Sequence, residues 1–132
     1  MKNIYILYIR SLIEQSCTVW HSGLTVENCQ DLERLQKSAP KIILKESYKT
    51  YEHALNILDL ENLFDRREYL CLKFAKKCLT NEKMKHLFQE NQKIHPMITR
   101  FENEFEVNHA NTERLKNSPV IYMQRLLNSS SA

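Results

Sequence analysis

Apolar positions recur with a helical period almost from the first residue. Ile4, Tyr5, Leu7, Tyr8, Ile9, Leu12, Ile13 and Cys17 surround most of a helix expected over 2–19. A helix apolar on most sides is expected to be buried on several of them. The stretch "CTVWHSGL" follows at 17–24. Gly23, the only glycine, is placed to end that helix with a positive φ, which glycine adopts cheaply. Thr25 is a good N-cap for a second helix, with Glu27 in the first turn where the helix dipole favours an anion. Trp20, the only tryptophan, is expected to wedge the corner between the two.

In the second helix Cys29, Leu32, Leu35, Ala39, Ile42 and Ile43 fill one arc of the helical wheel. Arg34, Lys37, Lys41 and Lys45 fall on the opposite face, and Lys49 continues their line. Pro40 interrupts the pattern. It removes the bond to the Gln36 carbonyl and clashes with it, at about 3 kcal/mol, so a kink or a break is expected.

A short helix is expected after Thr50, with Tyr51, Leu55 and Leu58 on one side. A longer one runs over 62–80, opened by an Asn62–Asp65 pair like a capping box. Leu63, Phe64, Leu70, Cys71, Phe74, Ala75 and Cys78 form its apolar arc, and Arg66, Lys73, Lys76 and Lys77 lie outside it. Arg67 lies inside the arc, where a guanidinium must be paired or reach out, so it is expected to centre a structural ion pair. The period fades over 89–111: His95-Pro96 disfavours helix at His95, and Phe101, Phe105 and Val107 alternate as in a short extended segment. Ser118 and Pro119 then open a last helix as N-cap and first residue.

Composition agrees with this pattern. One Gly and three Pro in 132 residues are too few for the tight turns of a β-rich fold. The expectation is an all-α protein: a compact bundle of about five or six helices with short connections and one irregular or extended segment near 89–111. It would form a single domain over 1–128, with a frayed tail at 129–132. The apolar run Ile4–Ile9 falls short of a secretory core of about 7–15 residues with its cleavage site. It falls further short of the roughly 20 residues of a membrane helix. The expected location is intracellular, cytoplasmic or nuclear, with Cys17, Cys29, Cys71 and Cys78 as free thiols and no membrane partner.

Few residues point to chemistry. Cys17 and His21 are spaced one helical turn apart, as two metal ligands can be, but no second pair has zinc-type spacing. No nucleophile elbow is present, and a single glycine excludes a phosphate loop built on several. Neither a catalytic residue, a metal ligand, a cofactor nor a small-molecule substrate is assigned. The net charge of +3 is mild, so local clustering carries the signal. Arg34, Lys37, Lys41, Lys45 and Lys49, with Arg66, Lys73, Lys76 and Lys77, form basic faces that suit backbone phosphates. A solvated helix face is the alternative.

Four blocks, "YIRSLIEQSCTVWHSGLT", "DLERLQKSAPKIIL", "YEHALNILDLENLFDRREYLCLKFAKKCL" and "NTERLKNSPVIYMQRLLN", make the chain recognisable. In order and spacing they resemble the C-terminal thumb and post-thumb region of reverse transcriptases from jockey-like, LINE-type non-LTR retrotransposons. The resemblance covers nearly the whole chain. It implies a fragment of an RNA-directed DNA polymerase whose helices pack behind the palm and lie along an RNA or DNA template–primer. The palm aspartates that hold Mg in the parent polymerase are missing, since the chain contains no Asp-Asp pair, and so is the endonuclease. No catalytic residue carries over, and the chain alone is expected not to be an enzyme.

Family sequences run "QKSAVKII" or "QKRALRII" where this chain reads "QKSAPKII", and a second proline, Pro96, stands in "HPMITR". With the abrupt start, these departures suggest a truncated copy of an element. Other readings remain open: a helical protein-interaction or self-association module, docking on a palm domain in trans or on itself, or a remnant without function.

Overall fold

The computed structural model describes residues 1–90 and 104–130. Among them the regular structure is helical, and the only β feature is an isolated antiparallel bridge between Glu90 and Phe105. The all-α expectation therefore holds for the described residues. The chain divides into two compact units, Met1–Tyr69 and Leu70–Ala132.

The first unit opens with α1 (Lys2–Ile4), a π-helical segment (Tyr5–Arg10) and α2 (Ser11–Glu14). The single helix expected over 2–19 is broken at Gln15 and Ser16, where Ser16 takes a left-handed backbone with φ 53°. The short α3 (Cys17–Trp20) and a 3₁₀ turn (His21–Gly23) follow. The expected burial of this stretch is not met on most sides. Tyr5 and Cys17 are buried, but Ile4, Leu7, Tyr8, Ile9 and Leu12 are exposed. Apolarity all round permits burial; only a neighbouring element can supply it.

Thr25 caps α4 (Val26–Leu44) as expected, its Oγ1 accepting from the Asn28 amide at 3.2 Å. Pro40 does not divide α4, and its ring is fully buried. Burial on this side of the helix offsets the lost hydrogen bond. The buried side is turned from the expected arc towards Gln36, Ala39 and Pro40, leaving Leu35 and Ile42 exposed. Thr50 caps α5 (Tyr51–Leu58), and Asn62 accepts from the Asp65 amide at 2.8 Å at the start of α6 (Leu63–Leu79). Tyr5, Ala39, Leu58 and Leu60 form the core of this unit, with Ile6, Ile43, Leu44 and Leu55 against them.

In the second unit the later part of α6 buries Cys71, Ala75 and Cys78 against Phe88, Phe105, Met123 and Leu127. Thr112 caps α7 (Glu113–Lys116), and α8 (Pro119–Ser130) begins at the expected proline. Ser129 and Ser130 belong to α8, their hydroxyls donating to the Leu126 and Leu127 carbonyls. The helix thus reaches two residues into the segment read as a tail, because those hydroxyls can bond within the last turn. Gln124 ties the unit together: its amide donates to the Leu87 carbonyl at 2.8 Å and accepts from the Asn108 amide at 3.0 Å. Of the irregular segment near 89–111, His95, Pro96 and Phe101 lie outside the described residues. The described parts meet at the Glu90–Phe105 bridge and a bond from the Glu106 amide to the Gln89 carbonyl.

Candidate nucleic-acid interface

The basic side of α4 is the first candidate site. Helical steps of three and four residues align Arg34, Lys37, Lys41 and Lys45, and all are exposed. They stand opposite Gln36, Ala39 and Pro40, so packing of the buried side fixes which way the cations face. The Lys37 ammonium sits over the Tyr51 ring at 5.3 Å and Lys41 over the Tyr48 ring at 5.8 Å. Each contact restrains a long side chain without neutralising its charge. Arg34 is partly neutralised by Asp31 at 2.7 Å. Lys45 follows the last residue of α4 with φ 47° and ψ −114°, a strained backbone for a residue with a Cβ. Lys49 is exposed beyond the helix.

The other basic residues are placed differently. Arg66 is committed to acids: its Nε lies 3.0 Å from Glu14 Oε1, and its Nη1 lies 3.6 Å from Glu61 Oε2. Lys73, Lys76 and Lys77 belong to the second unit and are exposed there.

The polar interior of the first unit was not apparent from periodicity. Gln36, 0 % exposed, accepts from the Tyr5 hydroxyl at 2.9 Å. Its amide nitrogen donates to the Tyr51 hydroxyl at 2.8 Å and the Glu61 carbonyl at 2.9 Å. Tyr51 in turn donates to Glu33, whose other oxygen accepts from the Leu63 amide at 3.3 Å. Burial pushes the Tyr5 phenol up to about 12, and burial with the Glu33 hydrogen bond raises Tyr51. Both hydroxyls are therefore neutral donors at physiological pH. These partners lie 15 to 31 residues from Gln36, so no local sequence signal could reveal them.

Around "CTVWHSGL" the structure changes the expected roles. Gly23 has no positive φ, and a Cβ there would meet nothing within 4 Å. The left-handed residue is Ser16, because the break comes before α3 rather than after it. Trp20 spans a different turn from the corner expected of it: its Nε1 donates to the Gln15 carbonyl at 2.8 Å, across the left-handed turn before α3. It also lines a cavity of about 570 Å³ with Leu12, Ile13, Leu24, Leu32 and Leu35.

Arg67, 0 % exposed, lies with its Cζ 5.8 Å from the centre of the Trp20 ring. Among the described residues the ion pair expected of it is not formed. Its Nε instead donates to His21 Nδ1 at 3.3 Å, and Nη1 and Nη2 have no hydrogen-bond partner. Burial, then the Arg67 charge, lowers the His21 pKa to about 4, so the ring is neutral and its Nδ1 can accept. Burial also raises the Cys17 and Cys78 thiols, which keeps them protonated. Among the described residues no group of three His, Cys, Asp or Glu side chains is placed to hold a metal ion, and no helix is long and apolar enough to cross a membrane.

No protein-family model, no curated protein and no solved structure matches this chain.

Proposed function

We propose that this chain is a C-terminal, thumb and post-thumb fragment of a jockey-like retrotransposon reverse transcriptase, acting as a helical scaffold that touches the template–primer backbone. The four sequence blocks support the family reading. The observation that carries the contact is the alignment of exposed Lys37 and Lys41, each set over a tyrosine, with Lys45 next in line. Such a row suits a sequence-independent phosphate track. Without palm aspartates the chain does not polymerise, and purified protein with Mg and nucleotides is expected to leave a primer unextended. The contact is tested by reversing Lys37, Lys41 and Lys45 to Glu together and measuring affinity for an RNA–DNA primer–template duplex. Loss of binding with unchanged helical content is expected; full retained affinity would refute it.

A second reading is favoured by the exposed Ile4, Leu7, Tyr8 and Leu12: a hydrophobic face that docks on a protein partner or on another copy. Self-association through it would resist salt and survive the lysine reversals. Replacing Leu7 and Leu12 by Glu would abolish it.

A further inference from the structure

Arg67 is the one wholly buried cation among the described residues, and its two Nη atoms have no hydrogen-bond partner. A guanidinium has two kinds of binding surface: its flat faces, and an edge of N–H bonds lying in the plane. The Cζ lies 5.8 Å from the centre of the Trp20 ring, a cation–π contact that supplies no hydrogen-bond acceptor to the edge. On that edge only Nε is used, and it meets a neutral imidazole. Nη1 and Nη2 end in the protein interior without an acceptor.

Three acids of the same unit, Glu14, Glu61 and Glu33, are engaged with other partners. Glu14 Oε1 already lies between Arg10 at 3.5 Å and Arg66 at 3.0 Å. Glu61 pairs with Arg66, and Glu33 is occupied by Tyr51 and Leu63. The Cys17 thiol, held protonated, brings no charge. A buried cation lacking a partner is costly, and a bound anion both satisfies orphaned donors and neutralises the charge.

We propose that the Nη edge of Arg67 is an internal binding site for a small monovalent anion of the halide class. Size follows from enclosure: with Arg67 wholly buried, no peptide carboxylate or nucleotide phosphate reaches it. The site is independent of the basic face of α4 and of the function proposed above.

The sole tryptophan reports on it directly, because its ring centre lies 5.8 Å from the Cζ of the proposed ligand-binding group. The full chain is titrated with sodium chloride against sodium gluconate at constant ionic strength and pH. General salt effects favour the more strongly excluded anion, gluconate, so a rise in Tm with chloride runs against them. Chloride at ten times its Kd multiplies the folding equilibrium constant about elevenfold, a Tm rise of about 3–6 °C that saturates. Bromide is expected to quench Trp20 fluorescence with a saturable component. A Tm that does not rise with chloride, or bromide quenching that is linear throughout, overturns the proposal. An Arg67→Met variant is expected to lose both saturable responses, and keeping either overturns it. Should that variant not fold, the wild-type titrations still decide.

Discussion

Replacing Gln36 by Leu removes a polar group from the interior while keeping a comparable volume. Three hydrogen bonds disappear: from Tyr5, to Tyr51 and to the Glu61 carbonyl. They are not equivalent. Tyr51 keeps Glu33 as an acceptor, and Glu61 is an exposed residue, so each of these losses costs about 0.5–1.5 kcal/mol. The buried Tyr5 hydroxyl is left without its acceptor, at about 1–3 kcal/mol. Subtracting about 1 kcal/mol for the better burial of Leu leaves a net loss of about 1–5 kcal/mol. Urea unfolding followed by far-ultraviolet circular dichroism measures it. Tyr5→Phe alone is expected to cost about 1–2 kcal/mol, because Gln36 Oε1 then loses its donor. The two changes together cost less than their sum by at least about 1 kcal/mol, since both partners are then apolar. A Gln36→Leu protein within about 0.5 kcal/mol of wild type, or strictly additive changes, would refute the network.

Gly23→Ala is expected to be neutral or to stabilise by up to about 1 kcal/mol, because φ is not positive and the new Cβ meets nothing; the urea midpoint checks it. Lys45→Gly relieves a strained backbone and is expected to add about 1 kcal/mol while weakening duplex binding, so stability and affinity move in opposite directions. His21 has a folded pKa of about 4 against 6.5, so its contribution is fully present above pH 6.5 and is lost as pH falls towards 4. Between pH 8 and pH 5 this amounts to about 2 kcal/mol, and a His21→Gln protein that still folds is expected to lack that part of the pH dependence.

Local chemistry was legible in the sequence. Thr25, Thr50, Asn62 and Pro119 mark helix starts because a cap acts within one turn. Burial was less legible, because it depends on what lies opposite. The apolar stretch over 2–14 reads as core yet exposes Leu7 and Leu12, while Gln36, which the sequence did not single out, is buried against tyrosines far away in the chain. Pro40 shows the same dependence: its local cost is set against burial of its ring. Arg67 was conspicuous inside an apolar arc, but its contacts with His21 and Trp20 follow from packing alone. Among the basic residues, sequence located the row on α4, and only the structure separates Lys37 and Lys41, which sit over rings, from Arg66, which is held by acids.

The phosphate track proposed for α4 stands or falls on the salt dependence of binding to an RNA–DNA primer–template duplex. Three lysines in contact with phosphates are expected to give a slope of log Kobs against log salt of about −3, becoming about −2 when Lys41 alone is replaced by Gln. Absence of binding at low salt, or a slope near zero, would contradict the track.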